Sequence, residues 1–278
     1  MLRALAGGSL FGEVWGASPC RVVALHGWGR THADFARVFG PPSDPLDVLA
    51  LDLPGFGATP PPAEPWGSAD YAAALERLFD APDGGTANGT ANSAAKGNAV
   101  ASPSSVRAPV VVVGHSFGGR VAVQLAATRP ELVAGLVLTG VPLLPAPGRR
   151  RRPPIGYRVV RAARRARLVG EEPLERARRR YGSTDYVNAQ GVMRGVLVKV
   201  LGERYDEQLE KLQQLPGPVE LVWSDDDTEA PMAVAEQVVG RLPRAVLTRC
   251  GPVGHLTPLT APEMLRAAVA RALVGSSG

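Results

Sequence analysis

The sequence predicts a mainly parallel α/β sheet, and three observations carry that prediction. Short runs rich in Val and Leu alternate along the chain with longer Ala-rich stretches of helical pattern. The short runs are nearly continuous in apolar residues, as expected of strands covered on both faces. Gly, Pro or Asp bounds them. In chain order the predicted strands are 21–25 (RVVAL), 47–51 (DVLAL), 110–113 (VVVV), 134–138, 219–223 and 245–248. The predicted helices are 68–79, opening on a cap-like Ser68; 118–128, which stops before Pro130; 231–241; and 261–273.

Two stretches break the alternation. Residues 83–105 (DGGTANGTANSAAKGNAVASPSS) carry almost no large apolar side chain and read as a mobile surface loop inside the core. Residues 142–215 begin with proline and arginine. They continue with helical patterns around 155–169 and 174–181 and then an amphipathic run over 185–215. This reads as a helical insertion that leaves the sheet and returns to it, so that 1–141 and 216–278 form one core.

Composition narrows the class. With 278 residues, 45% hydrophobic and 21% charged, the chain has material for a core without disulfides and is not a disordered chain. No apolar run approaches the roughly 20 residues of a bilayer span. The first twenty residues are interrupted by Gly7, Gly8 and Gly12 and carry Glu13 where a secretory signal needs its apolar centre. Cys20 and Cys250 stand in no metal-like or redox spacing. A soluble protein of the reducing cytoplasm is the expectation.

The net charge of +5 hides an uneven distribution. Residues 149–180 hold thirteen arginines against Glu171, Glu172 and Glu175, and the rest of the chain is acidic on balance. This stretch is either a solvated basic face or a docking surface for something acidic. Nucleic acid is disfavoured as that partner, because only Tyr157 and Tyr181 lie among or beside these arginines, without the repeated aromatic platforms of single-strand binders.

Chemistry concentrates at Gly114-His115-Ser116-Phe117-Gly118, directly after the VVVV strand and directly before a helix. A serine on so sharp a strand-to-helix turn needs small neighbours, and the turn lifts its hydroxyl above the helix N-terminus, where amide dipoles favour developing negative charge. A hydroxyl is a poor nucleophile unless a base takes its proton and an acid orients that base. Of the four histidines, His255 follows the last predicted strand and would reach the sheet edge that carries Ser116. His32 is its competitor, while His26 and His115 are read as structural. The acid is expected at the end of strand 219–223, in Ser224-Asp225-Asp226-Asp227, with Asp227 preferred and Asp225 or Asp226 as fallbacks.

HGWG at 26–29, DLPGFG at 52–57, GHSFGG at 114–119, an acid after 219–223 and Gly254-His255 stand in that order, and together they resemble the α/β-hydrolase fold family over 20–141 and 216–274. The resemblance aligns Asp227, followed by Pro231, with the family's acid, although Ser224 stands where the family has Gly. It implies an oxyanion hole made by the backbone N–H groups of Trp28 and Phe117. It also implies that 142–215 is an arginine-rich cap and that no metal or organic cofactor takes part.

The implied reaction is hydrolysis of a carboxylic ester through an acyl-enzyme on Ser116. The same residues would serve for thioester, amide, lactone or C–C cleavage, and the fold also hosts non-catalytic binding proteins. With a serine instead of an aspartate at the nucleophile position, the family's epoxide hydrolases and haloalkane dehalogenases fit poorly. HGWG and DLPGFG also resemble the pimeloyl-carrier-protein methyl ester esterases, which would make an acidic acyl carrier the partner of the cap.

Overall fold

The computed structural model describes residues 2–79, 106–146 and 184–276, together with 160, 162–166, 168–170, 172, 173 and 176. The loop expected at 83–105 and most of the arginine-rich stretch, with its helices around 155–169 and 174–181, lie outside the described residues.

The sheet has eight strands: β1 (Leu2–Leu5), β2 (Leu10–Trp15), β3 (Cys20–Leu25), β4 (Val48–Asp52), β5 (Val106–His115), β6 (Val133–Thr139), β7 (Val219–Trp223) and β8 (Val246–Arg249). Their spatial order is β1-β2-β4-β3-β5-β6-β7-β8. From β4 to β8 all neighbours run parallel, and only the β1–β2 and β2–β4 pairs are antiparallel. All six predicted strands are present. The antiparallel pair β1 and β2 was not anticipated, because LRAL and LFGEVW are short, half-exposed and interrupted by Gly12.

Continuous apolar runs form the central strands because both faces are covered. Val23 and Leu25 of β3 and Val110 and Val112 of β5 enter one core, while Val22, Ala24, Val111 and Val113 enter the other. The first core is closed by α2 (Ser68–Glu76) and α3 (Phe117–Thr128), the second by α1 (Ala36–Phe39) and, at the C-terminal end, by the helix Pro262–Gly275. Ser68 does not cap α2. Gly67 holds that position, and Ser68 turns its N–H and hydroxyl onto the Glu203 carboxylate at 2.8 and 2.7 Å.

Between β6 and β7 the amphipathic run divides into α4 (Thr184–Asn188), α5 (Gly191–Leu201) and α6 (Asp206–Leu212), broken at Gly191, whose φ is +51°, and at Gly202. Arg120 of α3 pins this segment to the core. Its buried guanidinium donates to the carbonyl of Val200 at 2.7 Å and to that of Pro142 at 2.8 Å. After β7 come α7 (Met232–Arg241), then α8 (Thr257–Thr260) and α9 (Pro262–Gly275). No described helix is long and apolar enough to cross a membrane.

Candidate active site

Parallel strands direct their carboxyl ends to one edge, and the predicted site residues follow β5, β7 and β8 at that edge. Ser116 joins β5 directly to α3 with φ 49° and ψ −113°, a region that L-residues rarely adopt. The turn closes only because its neighbours lack side chains. A Cβ on Gly118 would overlap the carbonyl oxygen of Leu25, and one on Gly114 would overlap the backbone of Gly119. Gly118→Ala is therefore expected to cost about 2–3 kcal/mol, read as a lower urea midpoint at unchanged m-value.

At the end of β7, Asp227 is buried, and its two oxygens are divided between two tasks. Oδ1 accepts the N–H groups of Glu229 and Ala230, each at 2.8 Å, and Oδ2 accepts Nδ1–H of His255 at 2.8 Å. Accepting that proton leaves Nε2 of a neutral His255 with a free lone pair. Burial works against the charged form of His255, but the bond and charge of Asp227, with the charges of Glu229 and Asp185, raise its pKa above the ordinary histidine value.

The two fallback acids have other partners. Asp225 accepts from Arg249 Nε at 2.7 Å, and Asp226 accepts from the Ser224 hydroxyl at 2.6 Å and from Gly254 N–H at 2.7 Å. Ser224 thereby has a local task of its own: its Oγ also accepts Val253 N–H at 3.0 Å, bracing the loop after β7 against the loop that carries His255.

The other histidines are committed elsewhere. His32 donates through Nδ1 to Asp52 at 2.8 Å, and its backbone N–H meets the same oxygen at 2.8 Å. Burial tends to raise the Asp52 pKa, but these bonds and the N–H of Ala58 bring it below the usual carboxylate value. His26 accepts Leu53 N–H on Nε2 at 3.0 Å, and burial pushes its pKa down to about 4. His115 is likewise held neutral, pushed down to about 4 by burial, and its Nε2–H donates to the carbonyl of His255 at 2.9 Å. Its ring lies 4.9 Å from that of His255, centroid to centroid, so it supports the His255 loop from beneath.

Two neighbours of His255 were not singled out from sequence. Gly140, just after β6, packs so closely that a Cβ there would lie 3.1 Å from Asp227 Oδ2 and from the His255 ring. Glu229 places Oε2 3.4 Å from His255 Nε2, and no hydrogen bond joins that nitrogen to Ser116 Oγ in this arrangement. A Thr-Gly pair after a buried strand and an acid two residues beyond Asp227 are the only sequence traces of these contacts.

Trp28 and Phe117 stand side by side, with ring centroids 5.4 Å apart, and Phe56 is 5.0 Å from Trp28. Among the described residues, neither the Trp28 nor the Phe117 amide donates to a backbone acceptor. Tyr186, Ala189 and Leu197 of the β6–β7 segment form a small apolar cluster against Trp28. No group of three His, Cys, Asp or Glu side chains suited to a metal ion occurs among the described residues.

An elbow serine after β5, with an Asp–His pair from the loops after β7 and β8 on the same sheet edge, defines the class. The family model of the alpha/beta hydrolase family matches residues 22–268, and the chain belongs to that family. Among curated relatives, the hydrolase YugF of Bacillus subtilis (strain 168) is 24% identical over 88% of this chain and 86% of its own length. A pimeloyl-[acyl-carrier protein] methyl ester esterase of Aromatoleum aromaticum is 28% identical over 87% of this chain and 93% of its own length. Among solved structures, a lipase from Acinetobacter baumannii superposes with a TM-score of 0.66 at 17% identity, covering 100% of this chain and 92% of that one. A thermophilic esterase from Thermogutta terrifontis gives 0.63 at 18% identity, covering 98% and 96%.

Proposed function

We propose that this α/β hydrolase cleaves carboxylic esters with Ser116 as nucleophile, His255 as base and Asp227 as the acid that orients it. One observation carries the reading: a serine held at φ 49° above the α3 N-terminus shares its sheet edge with a histidine whose Nδ1 is bonded to a buried aspartate. Relatives named hydrolase, lipase and esterase support the ester class.

In this reading His255 Nε2 takes the Ser116 proton as Oγ attacks the ester carbonyl. The Trp28 and Phe117 amides receive the oxyanion, and the imidazolium then protonates the departing alcohol. Water, deprotonated by the same nitrogen, releases the acid. The contact between His255 Nε2 and Ser116 Oγ must tighten as substrate arrives, a change common on passing from the free enzyme to the substrate complex. Residues 142–215 act as the cap: Tyr186, Ala189 and Leu197 cover Trp28 and help to exclude water.

The arginine-rich stretch 149–180 supports a refinement, in which the ester reaches the site on an acidic acyl carrier. It is favoured by the carrier-protein esterase relative aligned along most of the chain. The test compares one methyl ester free and carrier-bound over a salt series. Faster turnover of the carrier-bound ester, lost as salt rises, is the expected result. Equal rates, or rates indifferent to salt, would leave a small free ester as the substrate.

A further inference from the structure

We propose that Glu229 reads the leaving group, favouring esters of cationic alcohols over neutral ones of the same shape. The inference rests on the ester-hydrolase reading and adds to it a substrate preference. Its basis is a distance: Glu229 Oε2 lies 3.4 Å from His255 Nε2, the nitrogen that must hand its proton to the departing oxygen. That oxygen has to come within hydrogen-bond reach of Nε2, about 3 Å. A substituent two carbons beyond it therefore falls beside the Glu229 carboxylate.

Space and charge agree with this placement. Glu229, which contacts His255 on one side, also lines a cavity of about 510 Å³ together with Leu143, Leu144, Leu201, Pro231 and Val234, room for the body of an alcohol that extends past the carboxylate. Arg120 and Glu203, which also line the cavity, are engaged elsewhere: Arg120 is spent on two carbonyls and the face of Tyr205, and Glu203 accepts from Ser68 and Tyr205, while Arg204 completes the charged lining. Among the described residues Glu229 has no Lys or Arg partner, and its side chain is 64% exposed, open to a ligand. Among the described residues, the groups facing His255 are Asp227 and Glu229 from the turn after β7, Asp185 from α4 and the neutral His115 from β5. The imidazole thus meets an acidic surround in a chain that is basic overall.

The test uses two isosteric butyrates, the choline ester and the 3,3-dimethylbutyl ester, which differ in one positive charge. The expected kcat/KM ratio is about two- to fivefold in favour of choline, the range of an exposed carboxylate–cation contact, and it shrinks as salt rises. Glu229→Gln should bring the ratio to about one. On the neutral ester it should also shift the acid limb of the pH profile downward, because a carboxylate that stabilises the protonated imidazole has gone. Neither change would follow from a merely structural role.

A wild-type ratio of one or below, or a preference that survives Glu229→Gln, overturns the proposal. Turnover of the neutral ester that disappears in Ser116→Ala keeps the hydrolase reading standing in that event. Ser116 phosphonylation rates with thiocholine and 3,3-dimethylbutanethiol methylphosphonates give the same comparison independently of the acyl chain. If neither ester turns over and neither phosphonate labels Ser116 in folded protein, the hydrolase reading and this proposal fall together.

Discussion

Ser116→Ala is expected to lower kcat on a short-chain ester by on the order of 10⁴- to 10⁶-fold while the protein stays folded. In the proposed mechanism, loss of Ser116 removes the acyl-enzyme route altogether, and what survives is whatever the proposed oxyanion donors, the Trp28 and Phe117 amides, can do for a water attack. The fold should tolerate the change. Alanine keeps the Cβ that already stands at φ 49°, and among the described residues Ser116 Oγ has no hydrogen-bond partner to lose. Brief exposure to a fluorophosphonate, followed by peptide mapping, reads the same property without a substrate. The wild type should carry one adduct, on Ser116. Ser116→Ala should carry none, and His255→Ala should carry little, because a neutral hydroxyl without its base reacts slowly. Folded wild-type protein that takes no label would turn the chain into a binding protein on a hydrolase scaffold.

Those residues could be named from sequence because each sits where a local rule meets a topological one. The VVVV run, the glycines of GHSFGG and the Ala-rich stretch after them specify strand, tight turn and helix in succession, and only such a turn needs glycine on both sides of Ser116. His255 could be placed because a loop after a parallel strand ends on the same edge as the elbow. What stayed hidden depended on pairing across distant segments. The N-terminal hairpin packs onto β4 as a half-exposed antiparallel edge, and its short runs carry too little apolar pattern to announce it. From sequence His115 reads only as structural, and its donation to the His255 carbonyl crosses 140 residues of chain, so nothing in GHSFGG foretells it. Ser68 looked like a helix cap because its true partner, Glu203, is 135 residues away. Glu229 lies in an otherwise unremarkable loop, and only the folded turn after β7 brings it to Nε2.

Asp227→Asn tests the remaining choice that sequence left open, and its effect should rank next to that of Ser116→Ala. The amide can still accept the Glu229 and Ala230 N–H groups with its oxygen at the Oδ1 position. Its NH₂ then faces His255 Nδ1, where a carboxylate accepted a proton at 2.8 Å. Two donors cannot share that contact, so the neutral ring takes the other tautomer and carries its proton on Nε2, the nitrogen that must receive one from Ser116. The expected loss is about 10³- to 10⁴-fold in kcat with KM little changed, since the substrate does not touch Asp227. The titration of His255 also moves downward, because the carboxylate that raised it has lost its charge. Asp225→Asn and Asp226→Asn are the controls that give this loss its meaning. The first removes an exposed pair with Arg249 and should change little, whereas the second loosens the bridge from Ser224 to Gly254 and should lower stability more than rate. If Asp226→Asn proved as damaging to kcat as Asp227→Asn in folded protein, the acid would act by bracing the histidine loop, and the fixed tautomer of His255 would no longer explain the rate.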